Sequence, residues 1–165
     1  MREVGASNFS AERLVSAFEA AEAEGLIPYT VLQNEYNLVN RGEYEGDVQK
    51  LCLRHGIAAL PYFGLASGFL TGKYRSIADF EKSARGSGMD RFFEKGLPIL
   101  GVMDTVAAQT GASLAAIALA WINAQPGIAA PIASARVPEQ LDALLEGASL
   151  QLSEDHLARL TAASA

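Results

Sequence analysis

The chain is short of the residue types that carry most redox and metal chemistry. It has a single cysteine, Cys52, and two histidines, His55 and His156. One thiol closes no internal disulfide, so a reducing compartment suffices. No His, Cys and carboxylate spacing matches a metal site. Basic residues are outnumbered 13 to 19, and the resulting formal charge of −6 disfavours nucleic acid and anionic membrane surfaces as partners. Long apolar runs are missing as well. No stretch approaches the roughly 18 residues of a membrane span, and no signal-peptide apolar core follows Met1-Arg2-Glu3. The expectation is a soluble, cytoplasmic protein without a metal.

What is present is a large apolar fraction, 50% against 19% charged, which suits a folded unit with a sizeable core rather than a disordered chain. Aliphatic runs at 2–6, 29–34, 57–61 and 128–133 read as strands. Helical spacing follows each of them. Ser10 caps the first helix, with Glu12 at its positive end and Gly25 as its stop. The second helix, 47–54, buries Val48, Leu51 and Cys52 and ends at Gly56. Gly111 separates helices at 97–110 and 113–123, the latter capped by Ser113. Val137-Pro138 opens another helix, and Ser153 caps the last. The polar, glycine-containing stretch from 62 to 90 reads as a long loop, the kind that serves as a lid or stays disordered. No repeat or linker interrupts the pattern, so residues 1–165 form one α/β unit.

Strands alternating with helices imply a parallel sheet with right-handed crossovers. A buried parallel strand beginning at residue 2 needs neighbours on both sides. Four strands cannot supply both, so the expectation is the second half of a larger barrel. Ligands of such sheets bind at the carboxyl ends of the strands. Those ends carry Ser7-Asn8, Gln33-Asn34, Tyr62 and Ser134-Ala135-Arg136. Singly, each has a bland explanation. Ser7-Asn8 is a strand-to-helix turn, Tyr62 a half-buried aromatic, Lys73 and Arg85 solvated loop charges, and Arg136 a helix-start surface residue. Cys52 and Trp121 read as inert core, His55 as a complement to a helix C-terminus and His156 as solvated. Gly86-Ser87-Gly88 is too short for a phosphate loop.

In chain order, however, Gly5-Ala6-Ser7-Asn8-Phe9-Ser10, Gln33-Asn34-Glu35-Tyr36-Asn37, the run from Leu65 through Gly72-Lys73-Tyr74, and Pro131-Ile132 with Pro138-Glu139-Gln140-Leu141 resemble the aldo/keto reductases. The nearest branch is the one that includes bacterial reductases and potassium-channel β subunits. The resemblance implies a TIM (β/α)8 barrel that binds NADP(H) without a Rossmann motif and reduces aldehydes and ketones by hydride transfer. A whole barrel takes roughly 250 residues, and the match covers strands five to eight. The family's catalytic Asp, Tyr, Lys and His lie on the first four strands and have no counterpart here.

What remains resembles the cofactor grip. Ser7, Asn8 and Gln33 match the residues that hold the nicotinamide carboxamide, and Tyr62 the aromatic under the ring. Leu65, Ala66, Ser67 and Gly68 correspond to backbone along the pyrophosphate, where small residues permit close approach. Lys73 and Arg85 are the cationic partners of the phosphates. Ser134, Arg136 and Gln140 stand at the adenosine end, and a guanidinium there suits the 2′-phosphate of NADP over NAD. Three departures are visible. Phe63-Gly64 replaces a frequent Ser-Pro, Ser134 replaces a usual Gly, and Leu144 replaces an Asn, removing an adenine hydrogen bond. The implied function is the NADP(H)-binding half of a carbonyl reductase, inactive alone. The alternative is a non-enzymatic half-barrel module that dimerises or pairs with a separate N-terminal half.

Overall fold

Three serines start helices as their positions suggest. In the computed structural model, which describes residues 2–82 and 88–165, Ser10 Oγ accepts from Arg13 N, Ser113 Oγ from Ala116 N and Ser153 Oγ from His156 N, each at 3.2 Å. Each bond satisfies one of the orphan donors of a helix start. The helices are α1 Ala11–Glu24, α2 Asp47–His55, α3 Asp90–Thr110, α4 Leu114–Asn123, α5 Glu139–Ser149 and α6 Glu154–Ala163. Gly25, Gly56 and Gly111 close α1, α2 and α3 in the left-handed conformation.

The strands are β1 Gly5–Ser7, β2 Val31–Gln33 and β3 Ala58–Ala59, all parallel and adjacent in chain order. They are shorter than the aliphatic runs, but the ladder extends beyond them. Thr30 N donates to Val4 O at one end, and Tyr62 N to Asn34 O at the other. The fourth expected strand, 128–133, is a correction. It makes one parallel bridge, Ile128 to Ala59, and Ile132 N donates to Pro61 O at 2.7 Å. Pro61 and Pro131 have no N–H to give, which interrupts the ladder there.

Two further corrections concern the region after β3. The helix expected from 97 begins at Asp90 and carries Pro98 within it. Phe92, Gly96, Ile99, Leu100, Met103 and Val106 line its buried side, and that packing outweighs the interior proline. The stretch from 62 to 90, expected as a lid or disordered loop, contains the 3-10 segments Ala66–Thr71 and Ile77–Lys82. The first is anchored on α3 and α4, with Phe69 and Leu70 fully buried. Phe69 fills a notch at Gly96, where an added Cβ would collide with its ring.

Trp121, Tyr36, Tyr44, Tyr74 and Phe69 dominate the core. Among the described residues no single helix is long and apolar enough to cross a membrane. Because every strand runs the same way, all carboxyl ends face one side. Four of the expected site residues, Ser7, Asn8, Gln33 and Tyr62, meet there.

Candidate functional site

The carboxyl ends of β1, β2 and β3 bring four expected residues into one cluster. Asn8 N donates to Gln33 O at 3.1 Å and Ser7 Oγ to the same carbonyl at 2.9 Å. Tyr62 Oη donates to Asn8 Oδ1 at 2.8 Å. Burial, with the Glu35 and Glu43 carboxylates nearby, pushes the Tyr62 phenol above its usual value, so it remains a donor. The Gln33 carboxamide and Asn8 Nδ2 have no hydrogen-bond partner among the described residues, so both remain free to meet a ligand.

A second group lies apart from the first. Leu65, Ser67, Gly68, Lys73, Ser134, Arg136 and Gln140 line one cleft of about 410 Å³. Phe63, Gly64, Thr71, Ile132, Glu139 and Leu144 are also in its wall. Gly64 explains the departure from Ser-Pro at that point. A Cβ there would stand 3.0 Å from Ile122 Cδ1 and 3.2 Å from Leu119 Cδ2. Ala66, expected to contribute backbone, has its side chain fully buried. Arg85 lies outside the described residues.

The charges of this cleft are unusual for the chain. Neither Lys73 nor Arg136 belongs to an ion pair among the described residues. Lys73 Nζ lies 4.9 Å from the centroid of the Tyr74 ring and 3.3 Å from where a Cβ on Gly68 would be. Gln140 Oε1 accepts from Arg136 N at 2.9 Å, which leaves the guanidinium exposed. The first turn of α5 opens on the same space, adding the positive end of a helix dipole.

Backbone strain marks the same side of the molecule. Among the described residues, the non-glycines with positive φ are Asn8 (59°), Phe63 (55°), Ala66 (47°) and Ser67 (57°). Each departs from the favoured regions at a cost of about 1–3 kcal/mol, less for Asn. Asn8 follows β1 directly, Phe63 comes after β3, and Ala66 and Ser67 open the 3-10 segment beyond it. Such strain persists only where the surroundings hold it, and it concentrates where a fixed backbone shape matters.

Residue type alone does not single out Glu139 and Thr71. Their positions beside Gln140 and Lys73 were the available signal. Asn34 and Asn37, both buried, tie the loops together. Asn34 Nδ2 donates to Phe9 O (3.2 Å) and Glu43 O (3.0 Å), and its Oδ1 is buried without a partner. Outside the site, Cys52 is fully buried and its thiol is pushed up to about 11 by burial, in keeping with an inert core residue. His55 stacks on Phe18 at 4.7 Å. His156 is not simply solvated. It is half-buried, with Nε2 3.2 Å from Gln109 Oε1 and Nδ1 buried without a partner.

Comparison with known proteins gives the family. The family model for the aldo/keto reductase family matches residues 1–165. The protein called tas of Escherichia coli (strain K12) is 31% identical over 166 residues, covering 98% of this chain and 47% of that protein. A probable voltage-gated potassium channel subunit beta of Arabidopsis thaliana is 29% identical over 147 residues, covering 83% of this chain and 44% of its own. An L-glyceraldehyde 3-phosphate reductase of Escherichia coli O157:H7 is 28% identical over 165 residues, covering 95% and 47%. The chain spans about half the length of the curated relatives it matches. With its parallel β/α order and its strand-end motifs, the chain belongs to the aldo/keto reductase family.

Proposed function

We propose that this chain is the NADP(H)-binding half of an aldo/keto reductase-type carbonyl reductase. The observation that carries the reading is the pair of cations, Lys73 and Arg136, on one cleft in a chain of net charge −6. Cations without carboxylate partners, beside a helix N-terminus and a backbone bare of Cβ at Gly68, suit a ligand with several phosphates. The donor set fits the cofactor, whose nicotinamide supplies the hydride when bound.

The chain's own residues have separable tasks in this reading. Gln33 and Asn8 Nδ2 hold the carboxamide and so select the ring face presented to substrate. Tyr62, fixed by its bond to Asn8, supplies the aromatic surface under the ring. Ser67 and Gly68 let the backbone approach the pyrophosphate, while Lys73 offsets its charge. Arg136 meets the 2′-phosphate and sets the preference for NADP over NAD. The family's general acid–base groups lie on strands that have no counterpart in this sequence, so the chain alone does not reduce carbonyls. A cytoplasmic location belongs to the same reading.

The same reading assigns a partner. Among the described residues, β1 is paired only on its β2 side, and the segment after Ile128 only on its β3 side. Ile132 of that segment is 43% exposed, and α5 exposes Leu141 at 49% and Leu145 at 60%. We assign these edges to a four-stranded N-terminal half that closes the barrel, with a second copy of the chain as the alternative occupant.

Fluorescence titration with NADPH should show weak, saturable binding that exceeds binding of NADH. Absence of binding at millimolar cofactor would overturn the assignment. Carbonyl turnover by the scrupulously purified chain would overturn its inactivity alone. Sedimentation should give a monomer that gains mass, and reductase activity, only with an N-terminal half. A dimer of the chain by itself would favour self-closure.

A further inference from the structure

Beside the segment that begins at Phe63 lies a fully buried polar side chain, Asn37, which does not line the cleft. Its backbone N donates to Asn40 O at 2.9 Å, and its Oδ1 accepts from Val39 N at 2.9 Å and Asn40 N at 2.8 Å. Those bonds close a tight turn after β2. Its Nδ2 then reaches across to a different loop and donates to Phe63 O at 3.1 Å, with Glu35 Oε1 at 3.4 Å. Every polar atom of a side chain with no exposed surface is therefore used.

Phe63 lines the cleft and is the first of four left-handed residues in this segment, with Ala66, Ser67 and Gly68. Its carbonyl also accepts from Ala66 N at 2.7 Å, and Leu65 O accepts from Gly68 N at 2.8 Å. These bonds fold 63–68 into the turn that presents Ser67 and Gly68. Within that turn Phe63, Ala66 and Ser67 carry strained φ values, and strain of this kind relaxes unless something outside the segment holds it. The bond from Asn37 is the tie that reaches this turn from the β2 loop. It joins the Tyr62 end of the carboxamide cluster to the phosphate cleft.

We propose that Asn37 is a positioning residue for the cofactor cleft, holding the strained turn at 63–68 through the Phe63 carbonyl. This rests on the cofactor-binding reading for its consequence, though not for the turn itself. Asn37→Asp separates the two duties of the side chain. The introduced carboxylate still accepts from Val39 and Asn40, but has no proton to offer Phe63 O and faces Glu35 as a like charge. Protonation of that carboxyl restores a donor, so the defect should shrink as pH falls through the carboxyl range. Asn37→Ser is a gentler variant that keeps an acceptor for the turn but is too short to reach Phe63.

Thr161→Val is the control, since it strips the partner of Trp121 Nε1 (3.0 Å) and destabilises the chain far from the cleft. Amide exchange in the ligand-free chain should quicken about tenfold or more at Ala66 and Gly68 in both Asn37 variants, relative to the control at matched stability. NADPH affinity should fall about three- to tenfold in the same variants. For Asn37→Asp the loss should recover at acid pH, and for Asn37→Ser it should not. Exchange at Ala66 and Gly68 no faster than in Thr161→Val would overturn the proposal. If exchange quickens while the unaltered chain binds no NADPH, the tie stands and only the cofactor reading falls.

Discussion

Arg41 and Arg136 are the same residue type put to opposite uses. Arg41 is almost saturated. Its Nε and Nη2 donate to the two oxygens of Glu45, both at 2.8 Å, and its Nη1 donates to Thr161 O (2.8 Å) and Ser164 Oγ (3.0 Å). The guanidinium also lies 5.7 Å from the centroid of the Trp121 ring. Tyr36 Oη completes the group by donating to Glu45 Oε1 at 2.6 Å. Among the described residues Arg136 has only its backbone bonded, and its guanidinium stands exposed at a cleft. The first arginine is consumed in joining the loop after β2 to the end of α6. The second is left with unspent donors. Beside an arginine so fully consumed, unspent cations on a concave surface are the better pointer to a ligand.

The contrast breaks most visibly if Arg41 is removed. Arg41→Ala leaves the half-buried Glu45 carboxylate without its cation, though still bonded by the Tyr36 hydroxyl, and frees two acceptors at the end of α6. We expect a loss of about 2–3 kcal/mol, less than for a fully buried pair because both side chains retain some exposure. Urea unfolding followed by tryptophan fluorescence would measure it, and Trp121 is well placed to report.

A smaller effect follows from pH. Burial pushes the Glu45 carboxyl up, but hydrogen bonds from Arg41 and Tyr36 and the charge of Arg41 outweigh it and hold the group below its usual value. A depressed carboxyl contributes stability that is complete above its unfolded pKa and disappears as pH falls through the folded one. Acid should therefore weaken the chain more steeply than it weakens Glu45→Gln. That variant itself should cost about 1–2 kcal/mol at neutral pH. Parallel acid-unfolding profiles would contradict the account.

Arg136→Ala should show the reverse signature. With no bond to lose from its guanidinium, stability should change by less than about 0.5 kcal/mol. NADPH affinity should fall about tenfold, and NADH affinity far less, because only NADP carries the 2′-phosphate. An equal loss for both cofactors would remove Arg136 from the adenosine end.

How much of this was legible beforehand depends on the kind of information each feature carries. Helix starts were legible because Ser10, Ser113 and Ser153 act through bonds only three residues long. Strand positions were legible because aliphatic runs announce them, but strand extents were not. Whether residues 128–133 pair fully depends on Pro61 and Pro131 meeting across the ladder, a fact of register rather than composition. The segment Ala66–Thr71 has neither helical nor strand period. Its order comes from Phe69 entering the notch at Gly96, some distance along the chain. In the site, the family motifs led to Lys73, Arg136 and Gln140. They could not show that Ser7, Asn8, Gln33 and Tyr62 form a separate hydrogen-bonded cluster, nor that Ala66 turns its side chain into the core. Asn37 looked like an ordinary turn residue, because its second partner lies 26 positions away.

Arg75 stands between the two arginines compared above, and the smallest expected effect belongs to it. Its Nη1 and Nη2 donate to Asp104 at 2.8 and 2.7 Å, and its Nε donates to Gly72 O at 2.9 Å. It is thus as fully paired as Arg41 and ties the end of the cleft-lining segment to α3. Yet its side chain is 39% exposed and that of Asp104 50%, so water competes for every one of those bonds and salt screens the charges. Arg75→Ala should cost about 0.5–1 kcal/mol in dilute buffer, and less in high salt. The charge-swapped pair, Arg75→Asp with Asp104→Arg, should recover part of it. If Arg75→Ala instead matched Arg41→Ala, burial would not be what separates structural arginines here, and the unspent state of Arg136 would lose its meaning as a mark of the site.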